Sequence, residues 1–167
     1  TATRMNPNLN YAQIVKGINN GRGIGIIDTR HFIFAIDGIK LINGSASWTA
    51  SKSAETKKWF SVFLNWLQTS ENGIDEFAAK NNHGVWYDAQ CLSLAIYIDS
   101  IQLAHKIINR TLDRLDQQSN EEALFPLELE RTNSFHYSIF NLNAFNIVAQ
   151  LGEEVHVNIW DTATVRG

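Results

Sequence analysis

The chain has 167 residues, 44% of them apolar and 19% charged, which suits one globular domain with a real core and excludes a disordered polyelectrolyte. Its net charge of −3 offers no global basic field for nucleic acid or an anionic membrane, so a polyanionic ligand must be held by local Arg, His and amide groups. A single cysteine, Cys91, excludes an intrachain disulfide, and no stretch is long and apolar enough to cross a bilayer.

The first residues, Thr1-Ala2-Thr3-Arg4, include neither an initiator Met nor a signal peptide, and Trp160 to Gly167 form no clear closing element. The chain is therefore expected to be a piece of a longer one, and the missing signal says nothing of location. Residues 1–28 carry little periodicity. Asn6-Pro7-Asn8-Leu9-Asn10-Tyr11-Ala12-Gln13 reads as an Asn-rich turn or loop. Asn19-Asn20-Gly21-Arg22-Gly23-Ile24-Gly25 is a Gly-rich loop without the preceding strand that a dinucleotide site requires. Its functional reading is a wall bringing Arg22 and amides close to a ligand, with Gly permitting tight backbone approach.

Asp28 or Thr29 begins a helix to about Ile42, with Phe32, Ile36, Ile39 and Ile42 at helical spacing and Asn43-Gly44 as the stop. Ser53 is read as the cap of a second helix to about Gln68, whose wide apolar face carries Trp59, Phe60, Phe63, Leu64, Trp66 and Leu67. Ser70 to Lys80 reads as a polar loop. The third helix, about Gly84 to Ile98, is apolar almost all round and should be buried. A fourth follows Asp99-Ser100, with Ile101, Ala104, Ile108, Thr111 or Leu112, and Leu115 on one stripe. Gln117 to Glu122 is a polar turn, and Pro126 bars an ordinary helix interior from Phe125 to Thr132. A fifth helix runs from Ser134 to Leu151 and is ended by Gly152, while Val155 to Ile159 is a short strand or an extended tail. The fold class is all-α, and antiparallel helix pairs of this kind fit part of an (α/α) toroid or a solenoid, incomplete at this length.

Two loop-to-helix junctions concentrate the chemically useful side chains. One is Asn81-Asn82-His83-Gly84-Val85-Trp86-Tyr87, where free backbone N–H groups and a helix dipole already favour an anion. Its plain alternative is an Asn cap with His and Trp packed in the first turn. The other is Arg131-Thr132-Asn133-Ser134-Phe135-His136-Tyr137, where a guanidinium and a phenol flank a helix start. Singly, Arg131 is explained as a cap for a neighbouring helix and Tyr137 as a core ring with its hydroxyl at the rim. Together the junctions offer anion-holding groups in Asn82 and Arg131 and proton-transfer groups in His83 and Tyr137. The five His residues show no metal-ligand spacing backed by Cys or acids, so no metal or other cofactor is expected. Five Trp and nine Phe serve either as core or as planes that hold sugar rings.

Asn81 to Asp88, Glu128-Leu129-Glu130-Arg131-Thr132 with Tyr137, and Met5-Asn6-Pro7-Asn8-Leu9 with Tyr11 and Gln13 resemble, in this order, the alginate lyase superfamily. Within it the chain is most similar to polysaccharide lyase family thirty-eight and more distantly to family five. The resemblance implies the central part of a longer helical toroid and β-elimination on a uronic-acid polymer such as glucuronan or mannuronate-rich alginate. It implies that Asn82 and Arg131, assisted by His83, neutralise the uronate carboxylate, and that Tyr137, with or without His83, moves the protons. The Arg-to-Tyr interval is one residue shorter than in family five, which leaves His136 and Tyr87 as alternatives for part of Tyr137's role. Asn8, Tyr11, Gln13 and Arg22 are expected to line the groove, with Trp86 or Tyr87 near a sugar; the alternative is that Asn8 and Gln13 only satisfy loop backbone. The implied partner is an acidic polysaccharide, with no nucleic acid and no membrane, and the implied location is a periplasm or the cell exterior. Oligomeric state is not legible. The competing readings are a non-catalytic uronate-binding helical domain, an inactive fragment, and a helical scaffold whose aromatics are simply core.

Overall fold

The computed structural model describes residues 5–163. A 3-10 helix, η1 (Gly23–His31), leads into α1 (Phe32–Ile42), followed by α2 (Ala50–Thr69), α3 (Glu71–Ala78), α4 (Asn82–Tyr97), α5 (Ile101–Gln118), the single turn α6 (Pro126–Leu129) and α7 (Ser134–Glu154). Among the described residues there is no strand, only an isolated bridge between Val15 and Asn19. Val155 to Ile159 forms a turn and coil, which settles the alternative left by the sequence.

α4 is the centre. All of its residues except His83 and Ile96 are buried, because it is apolar on every side and η1, α1, α2, α3, α5 and α7 all pack on it. α5 runs antiparallel to it, with Arg110 and Arg114 bonded to Asp88 and Gln118 bonded to the Asn81 carbonyl. α5 also runs antiparallel to α7, since Gln118 meets Asn141 near the start of α7 while Ile108 approaches Gly152 near its end. The starts of α4 and α7 therefore lie at the same end of the molecule, and Trp86 and Phe140, early in each, have ring centroids 4.9 Å apart. On the other flank Phe32 sits edge-on to Trp59, Phe60 and Phe63, joining α1 to α2.

Several boundaries differ from the sequence reading, each for a local reason. Thr49, not Ser53, caps α2, its hydroxyl accepting from Lys52 N–H at 3.3 Å. The polar stretch after Ser70 is not a loop: Ser70 accepts from Gly73 N–H at 3.0 Å and starts α3, which buries Gly73 and Glu76 and leaves Ile74 and Phe77 exposed. The hydrophobic pattern therefore did not mark the buried face. Pro126 does not break a helix; it occupies the first turn of α6, where its missing N–H costs nothing. α7 is not ended by Gly152 and runs on to Glu154. The Gly-rich segment is irregular only up to Arg22; η1 begins at Gly23 and packs against α3.

Candidate active site

At the start of α4, Asn81 is the cap: its Oδ1 accepts from His83 N–H at 3.3 Å. Asn82 is 1% exposed, and both its backbone N–H and its side-chain amide donate to Glu128, at 2.6 Å for the backbone and 2.9 Å to each carboxylate oxygen for the amide. Glu128 is itself 1% exposed and comes from α6. A buried carboxylate at this place satisfies one of the orphan N–H groups of α4 and is favoured by the helix dipole. The two carboxylate oxygens subtend a much smaller angle at the amide nitrogen than its two hydrogens do. One amide hydrogen is thus shared between the oxygens and the other points elsewhere.

The neighbouring His83 is partly exposed, and its Nδ1 lies 2.9 and 3.1 Å from the two oxygens of Glu76, a fully buried residue of α3. In the neutral ring whose Nδ1–H donates to Glu76, the lone pair sits on Nε2. Nε2 has no hydrogen-bond partner among the described residues. Burial pushes the Glu76 carboxyl above its ordinary range, against the pull of His83, while Asp75 and Asp28 add to the rise.

Three residues past Glu128, Arg131 is exposed, and its guanidinium lies 4.0 Å from the centroid of the half-buried Tyr137 ring. Its N–H bonds to the Glu128 carbonyl at 3.2 Å, so the segment that anchors Asn82 also sets the start of Arg131. His136 is exposed, edge-on to Tyr137 and stacked parallel on Phe140. The structure thus brings Asn82, His83, Arg131, Tyr137 and His136 to one end of the molecule, around the starts of α4 and α7.

The remaining expected groove residues divide. Asn8 and Tyr11 are exposed and, with Gln13, line a cleft of about 410 Å³ that also takes in Asp28 and Thr29. Gln13 accepts from Arg22 at 3.0 Å and donates to Asp28 at 3.2 Å, so Arg22 and Gln13 form a chain that leads into η1. Asn8 N–H is taken by the side chain of Asn6 at 2.9 Å, a loop-backbone bond of the plain kind. Trp86 and Tyr87 depart from expectation. They are 4% and 3% exposed, because they sit in the buried first turns of α4. Tyr87 donates its hydroxyl to the Leu67 carbonyl at 2.9 Å, and burial drives its acidity well below that of a free phenol. It is a core residue and neither a sugar platform nor a proton-transfer group.

Sequence reasoning missed Glu76, Glu128 and Arg30. Glu128 belongs to the Glu128 to Thr132 motif, but nothing local marks it as buried. Glu76 lies in the polar stretch after Ser70, whose pattern does not show a helix. Arg30 of η1 places its guanidinium 5.4 Å from the Phe140 centroid and 6.0 Å from that of Trp86.

Fold and site together describe a helical-hairpin protein that gathers amide, imidazole, guanidinium and phenol groups at one end, fit for an anion and for proton transfer. The alginate lyase family matches residues 1–167, and the chain belongs to that family. It is 35% identical to an alginate lyase from Bacteroides ovatus whose crystal structure was determined at 1.60 Å; the two folds agree with a TM-score of 0.93 over 98% of this chain and 44% of that one. The chain thus spans less than half the length of that protein, and its helices are of the alginate-lyase α/α toroid type. Among curated proteins, no sequence matches.

Proposed function

We propose that this chain carries the reacting groups of a polysaccharide lyase that cleaves a uronic-acid polymer, glucuronan or mannuronate-rich alginate, by β-elimination, and that it falls in the branch classed as family thirty-eight. The observation that carries this reading is the tie between Asn82 and Glu128, which draws the His83 mouth and the Arg131–Tyr137 mouth to one place. Family membership and the likeness to an alginate lyase support it.

The chemistry sets clear demands. The proton at C5 lies next to a carboxylate, and its removal builds a second negative charge on an already anionic group. The carboxylate must first be discharged and the enolate-like dianion then stabilised, at about 3–4 kcal/mol for one preorganised donor. Arg131 and the second amide hydrogen of Asn82 meet that demand, with His83 beside them. As the C5–H bond breaks, its electron pair forms the C4–C5 double bond, and the C4–O4 bond breaks with its pair leaving on O4. A base takes the C5 proton and an acid returns one to O4. When both act on one face of the sugar, Tyr137 serves as both, starting as phenolate. When they act on opposite faces, Nε2 of His83 is the base and Tyr137 the acid. For that role His83 is the neutral tautomer whose Nδ1–H donates to Glu76, which leaves Nε2 to accept. A polymer too large to cross a membrane places the work in a periplasm or outside the cell.

The test mixes the protein with glucuronan, polymannuronate and a neutral glucan and follows ultraviolet absorbance of the unsaturated product. Growth of that signal on uronates alone is expected. Binding without product would instead make this a uronate-binding helical domain, and neither would make it a scaffold.

A further inference from the structure

Outside the groups assigned above, one cation adjoins the same mouth. Arg30 projects from η1 across the ring of Phe140, with the buried Trp86 beneath, and is about a quarter exposed. Phe140 stacks on His136, His136 meets Tyr137 edge-on, and Arg131 covers the Tyr137 ring. Two guanidinium groups therefore bracket a row of three rings on a single partly exposed surface. Nη1 of Arg30 is used locally: it donates to the Ile27 carbonyl at 3.0 Å and lies 3.8 Å from the exposed Asp28 carboxylate. Nη2 and Nε have no partner among the described residues. Asp28 is in turn held by Gln13 at 3.2 Å, so it partly offsets Arg30 without closing off its fork. A neutral glycan has no use for a second guanidinium in such a row, whereas a polymer with a carboxylate on every sugar has one.

We infer that Arg30 binds the carboxylate of a second uronate, one or more sugars along from the one being cleaved, with the His136 and Phe140 faces carrying the sugar plane between. This deepens the lyase reading and rests on it: Arg131 discharges the reacting sugar and Arg30 selects for charge on its neighbour. Arg30 touches no reacting atom, so its contribution falls on binding and not on turnover.

The experiment compares the full chain with its R30Q and R30K variants on polymannuronate and on its methyl ester. R30Q is expected to raise KM on the acid polymer about tenfold, the worth of one charge-assisted pair, with kcat within about twofold. R30K keeps the stem and the charge but loses the planar fork, so a smaller rise of about threefold is expected. On the methyl ester, KM should be the same in all three proteins. Unchanged KM on the acid polymer in both variants overturns the inference, as does an equal loss on acid and ester, which would make Arg30 a brace for Phe140. Thermal melts identify a fold defect in R30Q, and R30K then decides by the same comparison of acid with ester. If the unaltered chain yields no unsaturated product on any uronate, the lyase reading fails by itself. Arg30 is then judged by calorimetric titration with polymannuronate: weaker binding by R30Q upholds its role, and equal or absent binding overturns it.

Discussion

Tyr137 is half-buried, faced by Arg131 and edged by His136, a setting in which its hydroxyl is the one hydroxyl at the mouth assigned to move a proton. Tyr137→Phe removes one oxygen and keeps the ring that Arg131 stacks on. Turnover on a uronate is expected to fall by at least about 100-fold, the lower range for a lost acid–base group, while affinity for the polymer stays. Full activity in that variant would take Tyr137 out of the scheme. Glu76 supports a second prediction. Its carboxyl is raised above the ordinary value of 4.5, chiefly by burial, so the folded chain holds a proton where the unfolded chain has released it. Stability from this group is present below that ordinary value and is lost as pH climbs through the window above it. Gln cannot titrate. The melting temperature of E76Q relative to the unaltered chain should therefore rise as pH increases from about 4.5 toward the folded value, and a flat difference between melts contradicts the burial argument.

At the scale of elements, the α3–α4 junction rests on Gly84. A Cβ there would collide with the Ala79 carbonyl and lie 2.6 Å from Nη1 of Arg114, which itself bonds that carbonyl at 3.0 Å. Alanine gains about 1 kcal/mol of helix propensity, but overpacking against backbone costs about 1–3 kcal/mol, so a net loss in denaturant melts is expected for Gly84→Ala. Because the same shift moves Glu76 relative to His83, activity should fall further than stability. The long helices were legible in the sequence because apolar residues recur at helical spacing, as with Phe32 and Ile36 of α1 or Ala104 and Ile108 of α5. α3 was not, because what it buries is a glycine and a carboxylate while its apolar side chains face out. Asn82, His83, Arg131 and Tyr137 drew notice as unusual residues at helix mouths. Glu76, Glu128 and Arg30 did not, since their importance comes from contacts that no local pattern encodes: Glu128 reaches Asn82 across 46 positions. Trp86 and Tyr87 misled for the converse reason. A helix buried on all sides hides even its first-turn aromatics.

For the molecule as a whole, Asp88 is the main polar brace. It is fully buried in α4 and receives Arg110 Nε at 2.9 Å and Arg114 Nε at 2.7 Å, while Arg114 also caps α3 through the Phe77 and Ala79 carbonyls. That carboxylate ties α4 to α5, and Arg114 carries the tie on to α3. Asp88→Ala strands two guanidinium groups, and a loss of about 3–5 kcal/mol is expected in urea unfolding. A loss below about 1 kcal/mol would show that solvent already screens both arginines. Cys91, one turn further along and 1% exposed, has its thiol pushed up to about 12 by burial and stays inert in the folded chain.

The Asn82–Glu128 tie also bears on how the chain assembles. Neither mouth completes itself from nearby sequence, so no early local structure contains a working site, and none survives once distant segments part. Loss of substrate binding on adding denaturant should accordingly track the change in tryptophan emission in a single cooperative transition, with no earlier inactivation step.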